Sequence, residues 1–320
     1  MRKIFMQKKR IWYFCFILFF AQILFFSCKP RKQIDLSDRK RIAVTFFPIY
    51  DWTRTIINEG NNDKLLLYMI EKSGFDIHSF AASSGDISQI KNADLVIYCG
   101  NSTDQWISEI IKTPENQNQI ALNLADGVKE SLGLQRLDEH FWLNPYYATA
   151  CCNLIAQAII KIEPSKQQLY EESNKTYTDL LNKLNDEFAF TIEGLDNKAI
   201  IFADRFPFES WKQYGLKVDS IYENCPITAT PSEQKQSALE KEQLEQRIEE
   251  LAARLNEEDI NDIYVTELSD KKYAKAIINK AKKASCNILV LDSLHSTTLN
   301  QAFYGKAYLS VLQDNLKKLQ

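Results

Sequence analysis

The chain has 320 residues, of which 45 % are apolar and 25 % are charged, and its formal net charge is −3. This composition is typical of a globular protein, and the length is sufficient for two lobes of ordinary domain size. Because the charge is not strongly basic, nucleic acid is excluded as an expected partner.

The first residues predict a secretory signal over residues 1–27. Several basic residues precede an apolar run at residues 11–26, and the small residue Ser27 stands directly before Cys28. A basic start, a short apolar segment and a small residue at the cleavage point are typical of such signals. An uncleaved membrane anchor is the less favoured alternative, because the run is shorter than the ~20 residues that span a bilayer.

Residues 25–28, Phe-Phe-Ser-Cys, resemble the lipobox of bacterial lipoproteins, with Phe25 in place of the more usual leucine. This resemblance implies a lipid anchor at Cys28 and a place in the cell envelope, on the extracytoplasmic side of a membrane. With a lipid on Cys28, residues 29–38 would form a polar tether. The alternative is that a cysteine stands at this position by chance. Cys15 lies in the signal, and the remaining five cysteines are odd in number and show no Cys-x-x-Cys spacing, so they indicate neither a disulfide framework nor a cysteine zinc site.

Short apolar runs alternate with helical patterns in both halves of the chain, which predicts an α/β fold. The runs that we interpret as strands are residues 41–46, 64–70, 94–98 and 120–124, then 199–203, 218–222, 262–266 and 287–291. Continuous apolar strands separated by helices favour parallel sheets covered on both faces. We therefore expect two small lobes, each with a mostly parallel four-stranded sheet flanked by helices.

A long helical tract lies between the two halves. Residues 146–162 predict one helix, and Pro164 suits the first turn of another that runs to about residue 190. We expect one rigid helix at residues 164–194 to join an N-terminal lobe (39–163) to a C-terminal lobe (195–320). Residues 232–256 predict an amphipathic surface helix.

The chain has only three histidines. His78 follows a predicted strand, His140 precedes the helical tract, and His295 stands just after Asp292. Asp204 and Asp292 directly follow predicted strands, and ligands of open parallel sheets bind beyond the carboxyl ends of the strands. Taken singly, each is more often an ordinary loop histidine or a capping aspartate. Together, two imidazoles and two carboxylates indicate a site for a divalent transition metal.

Residues 138–145, Asp-Glu-His-Phe-Trp-Leu-Asn-Pro, carry a resemblance to a known family. They are similar to the Asp-Pro-His-x-Trp-Leu-Asp-Pro motif of the zinc- and manganese-binding solute-binding lipoproteins of ABC metal importers (cluster A-I), and differ from it at Glu139 and Asn144. Further segments follow in the family's order, from about residue 41 to the C-terminus: residues 76–80, 94–106, 214–216, 231–232, 266–267 and 291–294.

The resemblance implies a binding protein that captures one zinc or manganese ion per chain between its lobes. It places the metal ligands at His78, His140, Asp204 and Asp292, although members usually have histidine or glutamate where Asp204 stands. It also implies an ABC permease and ATPase as partners, a monomeric chain and no enzymatic activity. Adhesion to host molecules, known for relatives, has no feature here that supports or excludes it.

His295 is a candidate accessory residue. It could be a fifth or alternate ligand, or a group that supports the ligands, but we favour a surface residue.

Two other functions stay open at this point. A two-lobed binding protein for a larger ligand, such as a metal chelate or a corrinoid, would have a cleft lined by aromatic side chains. A secreted metallohydrolase would need an open metal position and a general base, and the sequence has no His-Glu-x-x-His motif.

Overall fold

The computed structural model describes residues 39–60, 62–222 and 238–320. The expected signal at residues 1–27, the lipidation site Cys28, the tether at 29–38 and the segment 231–232 lie outside the described residues. Within the described part, no helix combines the length and the apolar character that crossing a bilayer requires.

The N-terminal half folds around a parallel four-stranded sheet. Its strands are β1 (Lys40–Val44), β2 (Leu65–Met69), β3 (Leu95–Tyr98) and β4 (Ile120–Asn123), in the order β2-β1-β3-β4. The central strands β1 and β3 are the most buried, because helices cover both faces: Ile42, Val44 and Leu95 are inaccessible to solvent.

The C-terminal half repeats this arrangement. Its strands are β5 (Ala199–Arg205), β6 (Lys217–Tyr222), β7 (Asp262–Thr266) and β8 (Asn287–Leu291), in the order β6-β5-β7-β8. All the strand pairs in both sheets are parallel. The predicted fold of two four-stranded parallel sheets flanked by helices is therefore confirmed.

Helices cover and connect the two sheets. They are α1 (Phe47–Ile56), α2 (Ser84–Lys91), α3 (Ile107–Ile110), α4 (Leu124–Leu132), α5 (Pro145–Ile162), α6 (Gln167–Glu193), α7 (Ala238–Glu257), α8 (Lys272–Ala281), α9 (Leu299–Phe303) and α10 (Tyr308–Lys317). The sequence pattern predicted neither α4 nor the helices from α8 onward, and only residues 238–256 of the predicted surface helix lie in the described part.

The predicted long helix is confirmed as α6, whose 27 residues extend about 40 Å at ~1.5 Å per residue. Its predicted apolar stripe is buried, at Tyr177, Leu181, Leu184 and Phe188. The division into lobes at residues 163 and 195 stays a prediction, because both halves contribute to one hydrophobic core. Trp142 belongs to this core together with Trp211 and Tyr308.

Asp51 of α1 joins the two halves of the molecule by a second, polar contact. Its Oδ2 accepts from the backbone N–H of Tyr308 at 2.9 Å, and its Oδ1 accepts from Arg54 Nε at 2.8 Å. The Arg54 guanidinium in turn donates to the carbonyls of Ala302 and Lys306. Asp51 is only 2 % exposed, and burial raises its pKa, which the Arg54 charge and these hydrogen bonds counteract.

Asp51→Ala should lower the free energy of unfolding by about 3 kcal/mol, because it leaves a buried N–H and a partly buried guanidinium without their acceptor. Urea unfolding followed by circular dichroism measures this. The control is Asp179→Ala, which breaks the exposed pair with Lys175 and should cost less than about 1 kcal/mol. Equal losses for the two variants would contradict this role for Asp51.

Asp104 holds the loop that follows β3. It is inaccessible to solvent and accepts from the backbone N–H groups of Cys99 and Gly100 at 2.6 and 2.8 Å and from the Thr45 hydroxyl at 2.8 Å. Burial raises its pKa from 3.8 to about 6, although these hydrogen bonds favour the charged form. Because the folded-state pKa is the higher one, this group stabilises the fold at low pH, and that contribution is lost as the pH rises through 6.

Asp104→Asn removes this titration. The free energy of unfolding of the wild type, minus that of the variant, should therefore fall by about 2 kcal/mol between pH 4 and pH 7. Urea unfolding of both proteins at several pH values in this range measures the difference. A difference that does not change with pH would show that the pKa of Asp104 is not raised.

Candidate metal centre

His78 lies in a short turn beyond the carboxyl end of β2. The turn spans Ile77–Ser79, and the Asp76 carboxylate caps it by accepting from the backbone N–H of His78 at 3.0 Å. The chain leading to it is held by Glu71, whose carboxylate accepts from the backbone N–H groups of residues 73–75. These contacts fix a loop that has no regular strand or helix at residues 71–76.

His140 lies at the start of the turn that leads into α5. The Asp138 carboxylate accepts from its backbone N–H at 3.4 Å, and a short 3-10 turn over Phe141–Leu143 follows. The imidazole is 2 % exposed and packs edge-on against the Trp142 indole, with the ring centroids 5.1 Å apart. Trp142 therefore supports the His140 ring from one side.

His295 lies in a turn after β8. Leu294 adopts a left-handed conformation with φ +63°, which is uncommon for a bulky residue and reverses the chain. The Asp292 carboxylate accepts from Leu294 N–H at 2.8 Å, and buried Asn315 bonds both the N–H and the carbonyl of Asp292. The result is that His295 points inward and is only 7 % exposed, so our interpretation of His295 as a surface residue is wrong.

The three histidines meet although they come from different parts of the chain. His78 Nε2 and His140 Nε2 are 3.1 Å apart, and the potential ligand atoms of all three residues lie within 4.8 Å of one another. In a tetrahedral zinc site with Zn–N bonds of ~2.0–2.1 Å, neighbouring nitrogens are about 3.4 Å apart. His78, His140 and His295, hereafter the three-histidine centre, are thus close to the spacing that one ion requires.

Two ring nitrogens of this centre have no hydrogen-bond partner in the described part of the chain. They are His78 Nδ1 and His295 Nε2, both of which are buried. A buried polar atom without a partner costs free energy, so such atoms are rare unless a ligand uses them.

The environment keeps these imidazoles neutral. Burial lowers the pKa of His78 and places that of His140 well below its usual value, with the neighbouring imidazoles adding to the effect at His140. Burial also lowers the pKa of His295 to about 3, with a further contribution from His78. Neutral imidazoles are the form that binds metal ions.

Neither predicted aspartate ligand belongs to this group. Among the described residues, the three-histidine centre is the one group of three or more histidines, cysteines or carboxylates with ligand atoms this close. Asp292 Oδ2 instead pairs with Lys306 Nζ at 2.6 Å, while Asp204 Oδ2 accepts from the Thr266 hydroxyl at 3.2 Å. The structure thus brings His78 and His140 together with His295. The assignment of Asp204 and Asp292 as ligands stays a prediction.

A carboxylate stands next to His140 in the chain, at a position where the sequence differs from the family motif. Glu139, the residue before His140, has a buried Oε1 without a partner in the described part of the chain, and burial together with the Asp138 charge raises its pKa to about 7. Its backbone carbonyl accepts from Asn101 Nδ2 at 2.7 Å, which ties the His140 turn to the loop after β3.

The chain is similar to known proteins in both sequence and structure. The model of the family described as zinc-uptake complex component A periplasmic (ZnuA) matches residues 42–320. The high-affinity zinc uptake system protein ZnuA of Bacillus subtilis is 23 % identical over 298 residues, covering 88 % of this chain and 87 % of that protein. The zinc-binding protein AdcA of Streptococcus pyogenes serotype M1 is 25 % identical over 314 residues, and the match spans 57 % of its length.

The fold is also found in solved structures. The metal-dependent lipoprotein YcdH from Bacillus subtilis superimposes with a TM-score of 0.70 at 23 % identity, covering 88 % of this chain and 98 % of that one. Since the family model covers nearly the whole chain, including all three histidines, this protein belongs to the ZnuA family of periplasmic zinc-uptake components.

Proposed function

We propose that this protein captures a zinc ion outside the cytoplasm and delivers it to the permease of an ABC importer, and that His78, His140 and His295 hold the ion. The observation that carries the proposal is the convergence of three neutral imidazoles on one point. The names of the relatives support zinc as the cargo, because both matched proteins are named for zinc binding or uptake.

The donor set favours zinc over manganese. Imidazole nitrogens suit zinc, whereas manganese prefers carboxylate, carbonyl and water oxygens. The set predicted from the sequence, two histidines and two aspartates, made zinc and manganese about equally expected. Replacing two oxygens by a third nitrogen, from His295, shifts the preference toward zinc. A water molecule, or a carboxylate that moves toward the ion, would then be the fourth ligand of a tetrahedral zinc ion.

Asp292 is the less available of the two predicted carboxylates. Its Oδ1 supports the turn at Leu294, and its Oδ2 pairs with Lys306. A metal ion bound by Asp292 would compete with Lys306 for this carboxylate. Asp204 is only partly buried, at the end of β5, and its Oδ2 has the Thr266 hydroxyl as a neutral partner.

The two alternative functions are less compatible with this site. A larger ligand such as a corrinoid would need an open cleft, but His140 and His295 are 2 % and 7 % exposed and the loop at Gly74 lies against Ser296 and Thr298 of the other half. A metallohydrolase is disfavoured because the family is a metal-binding component of an uptake system and not an enzyme family.

The proposal extends to the setting in which the protein acts. We infer one ion per chain, a monomer, and attachment to the extracytoplasmic side of a membrane through a lipid on Cys28. The partners are the permease and ATPase of the importer. The chain spans only 57 % of the length of its AdcA relatives, so any activity of their remaining parts is not transferred to it.

Alanine replacement of any one of the three histidines should weaken zinc binding at least about 100-fold, because the binding free energy of ~10–16 kcal/mol is shared among three or four ligands. Competition with a chromophoric chelator measures the Kd, and circular dichroism verifies that the variants fold.

Two further variants separate the competing ligand sets. Asp204→Ala and Asp292→Asn should each change the zinc Kd less than about 10-fold, since neither aspartate belongs to the three-histidine centre. Asparagine is chosen at residue 292 because it keeps the oxygen that accepts from Leu294 N–H. A loss at either aspartate as large as that at His140, with no loss at His295, would favour the set predicted from the sequence.

The wild-type protein should bind one equivalent of zinc and should bind it at least about 100-fold more tightly than manganese, because of its nitrogen ligands. Competition titrations of both metals in one buffer measure the ratio. Similar affinities for the two metals would contradict a site made of three imidazoles.

A further inference from the structure

A buried serine lies between His295 and a carboxylate. Ser293 is inaccessible to solvent, and its Oγ is 2.9 Å from His295 Nδ1. On its other side, Ser293 Oγ is 2.9 and 3.0 Å from the two carboxylate oxygens of Glu267, at the end of β7. The backbone N–H of Ser293 also donates to Glu267 Oε2 at 2.7 Å. Glu267, Ser293 and His295 therefore form one continuous hydrogen-bonded chain.

The direction of these hydrogen bonds follows from the chemistry of the groups. An ionised carboxylate only accepts, so the Ser293 hydroxyl donates its single hydrogen to Glu267. The oxygen of that hydroxyl can then only accept from His295, which requires the hydrogen of the imidazole to be on Nδ1. In this tautomer Nε2 carries a lone pair.

That nitrogen faces the metal centre. His295 Nε2 is buried and has no hydrogen-bond partner in the described part of the chain. The His295 ring lies 5.1 Å from the His78 ring and 4.9 Å from the His140 ring, between centroids. The chain through Ser293 thus leaves a lone pair where the proposed ion would sit.

We propose that Glu267 and Ser293 are positioning residues that hold His295 in its Nδ1–H tautomer and present Nε2 to the metal. This inference rests on the proposed function, and it assigns a role to two residues that do not touch the ion. Hydrogen bonds from a carboxylate through to a ligating histidine orient the ring and make it a stronger ligand. The Glu267 carboxylate also brings negative charge, through Ser293, close to a centre whose three histidines are neutral.

The same contacts also hold the turn around Ser293, so the test needs a measurement that a merely structural role would not change. Nitrogen-15 NMR of the imidazoles reports the tautomer directly, and the chain has only three histidines to assign. In the metal-free wild type, His295 should be the Nδ1–H tautomer. In Ser293→Ala and Glu267→Gln, this preference should be reduced or lost.

The same variants should bind zinc about 10–100-fold more weakly than the wild type in chelator competition. In a His295→Ala background, Ser293→Ala should cause no further loss, because the ring it positions is gone. Ser293→Ala keeps the backbone donor to Glu267, so it carries the test if Glu267→Gln fails to fold.

The matched control is Asp94→Asn. Asp94 is a partly buried carboxylate that likewise accepts from a backbone N–H, that of Arg41 at 2.8 Å, but it lies at the amino ends of the strands, opposite the metal centre. This variant should lose stability and keep both the His295 tautomer and the zinc Kd.

Two results would overturn the inference: the Nε2–H tautomer at His295 in the wild type, or an unchanged zinc Kd in Ser293→Ala. Failure of the proposed function looks different, since the wild type itself would then bind no zinc or His295→Ala would bind it normally.

Discussion

The metal centre depends on how residues 138–145 are fixed to the C-terminal half. The Trp142 indole donates to the carbonyl of Ser293 at 3.2 Å, while Trp211 donates its indole N–H to the carbonyl of Leu143 at 2.7 Å. The Tyr214 hydroxyl donates to Asn144 Oδ1 at 2.9 Å. Since Trp142 also packs against the His140 and His295 rings, these bonds set the distance between these histidines of the two halves.

These hydrogen bonds between the two halves explain how two separate sheets contribute to one site. Because the strands of each sheet are parallel, their carboxyl ends share one edge, and the loops beyond β2 and β8 carry His78 and His295 to the same place. The shared core and the long helix α6 resist large movements of one half against the other. Of the three histidines, His78 is the most exposed and its turn is capped locally by Asp76, which places the solvent-facing side of the centre at His78.

The sequence was sufficient to predict the strands, the parallel sheets, the long helix and two members of the centre, since these follow from continuous apolar runs and from histidines at strand ends and motif positions. It could not predict the place of His295. That depends on a left-handed Leu294, on the contacts that hold Asp292 and on the depth of the turn, none of which has a periodic signal. Asp204 was assigned from its place after a predicted strand and from the family resemblance, and neither shows which way its carboxylate turns.

The most direct test of the central claim is X-ray absorption spectroscopy of the zinc-loaded protein at one equivalent of metal. The account predicts multiple scattering from three imidazoles, with Zn–N distances of ~2.0–2.1 Å and one further light atom. A spectrum that fits two imidazoles and two carboxylate oxygens would contradict it.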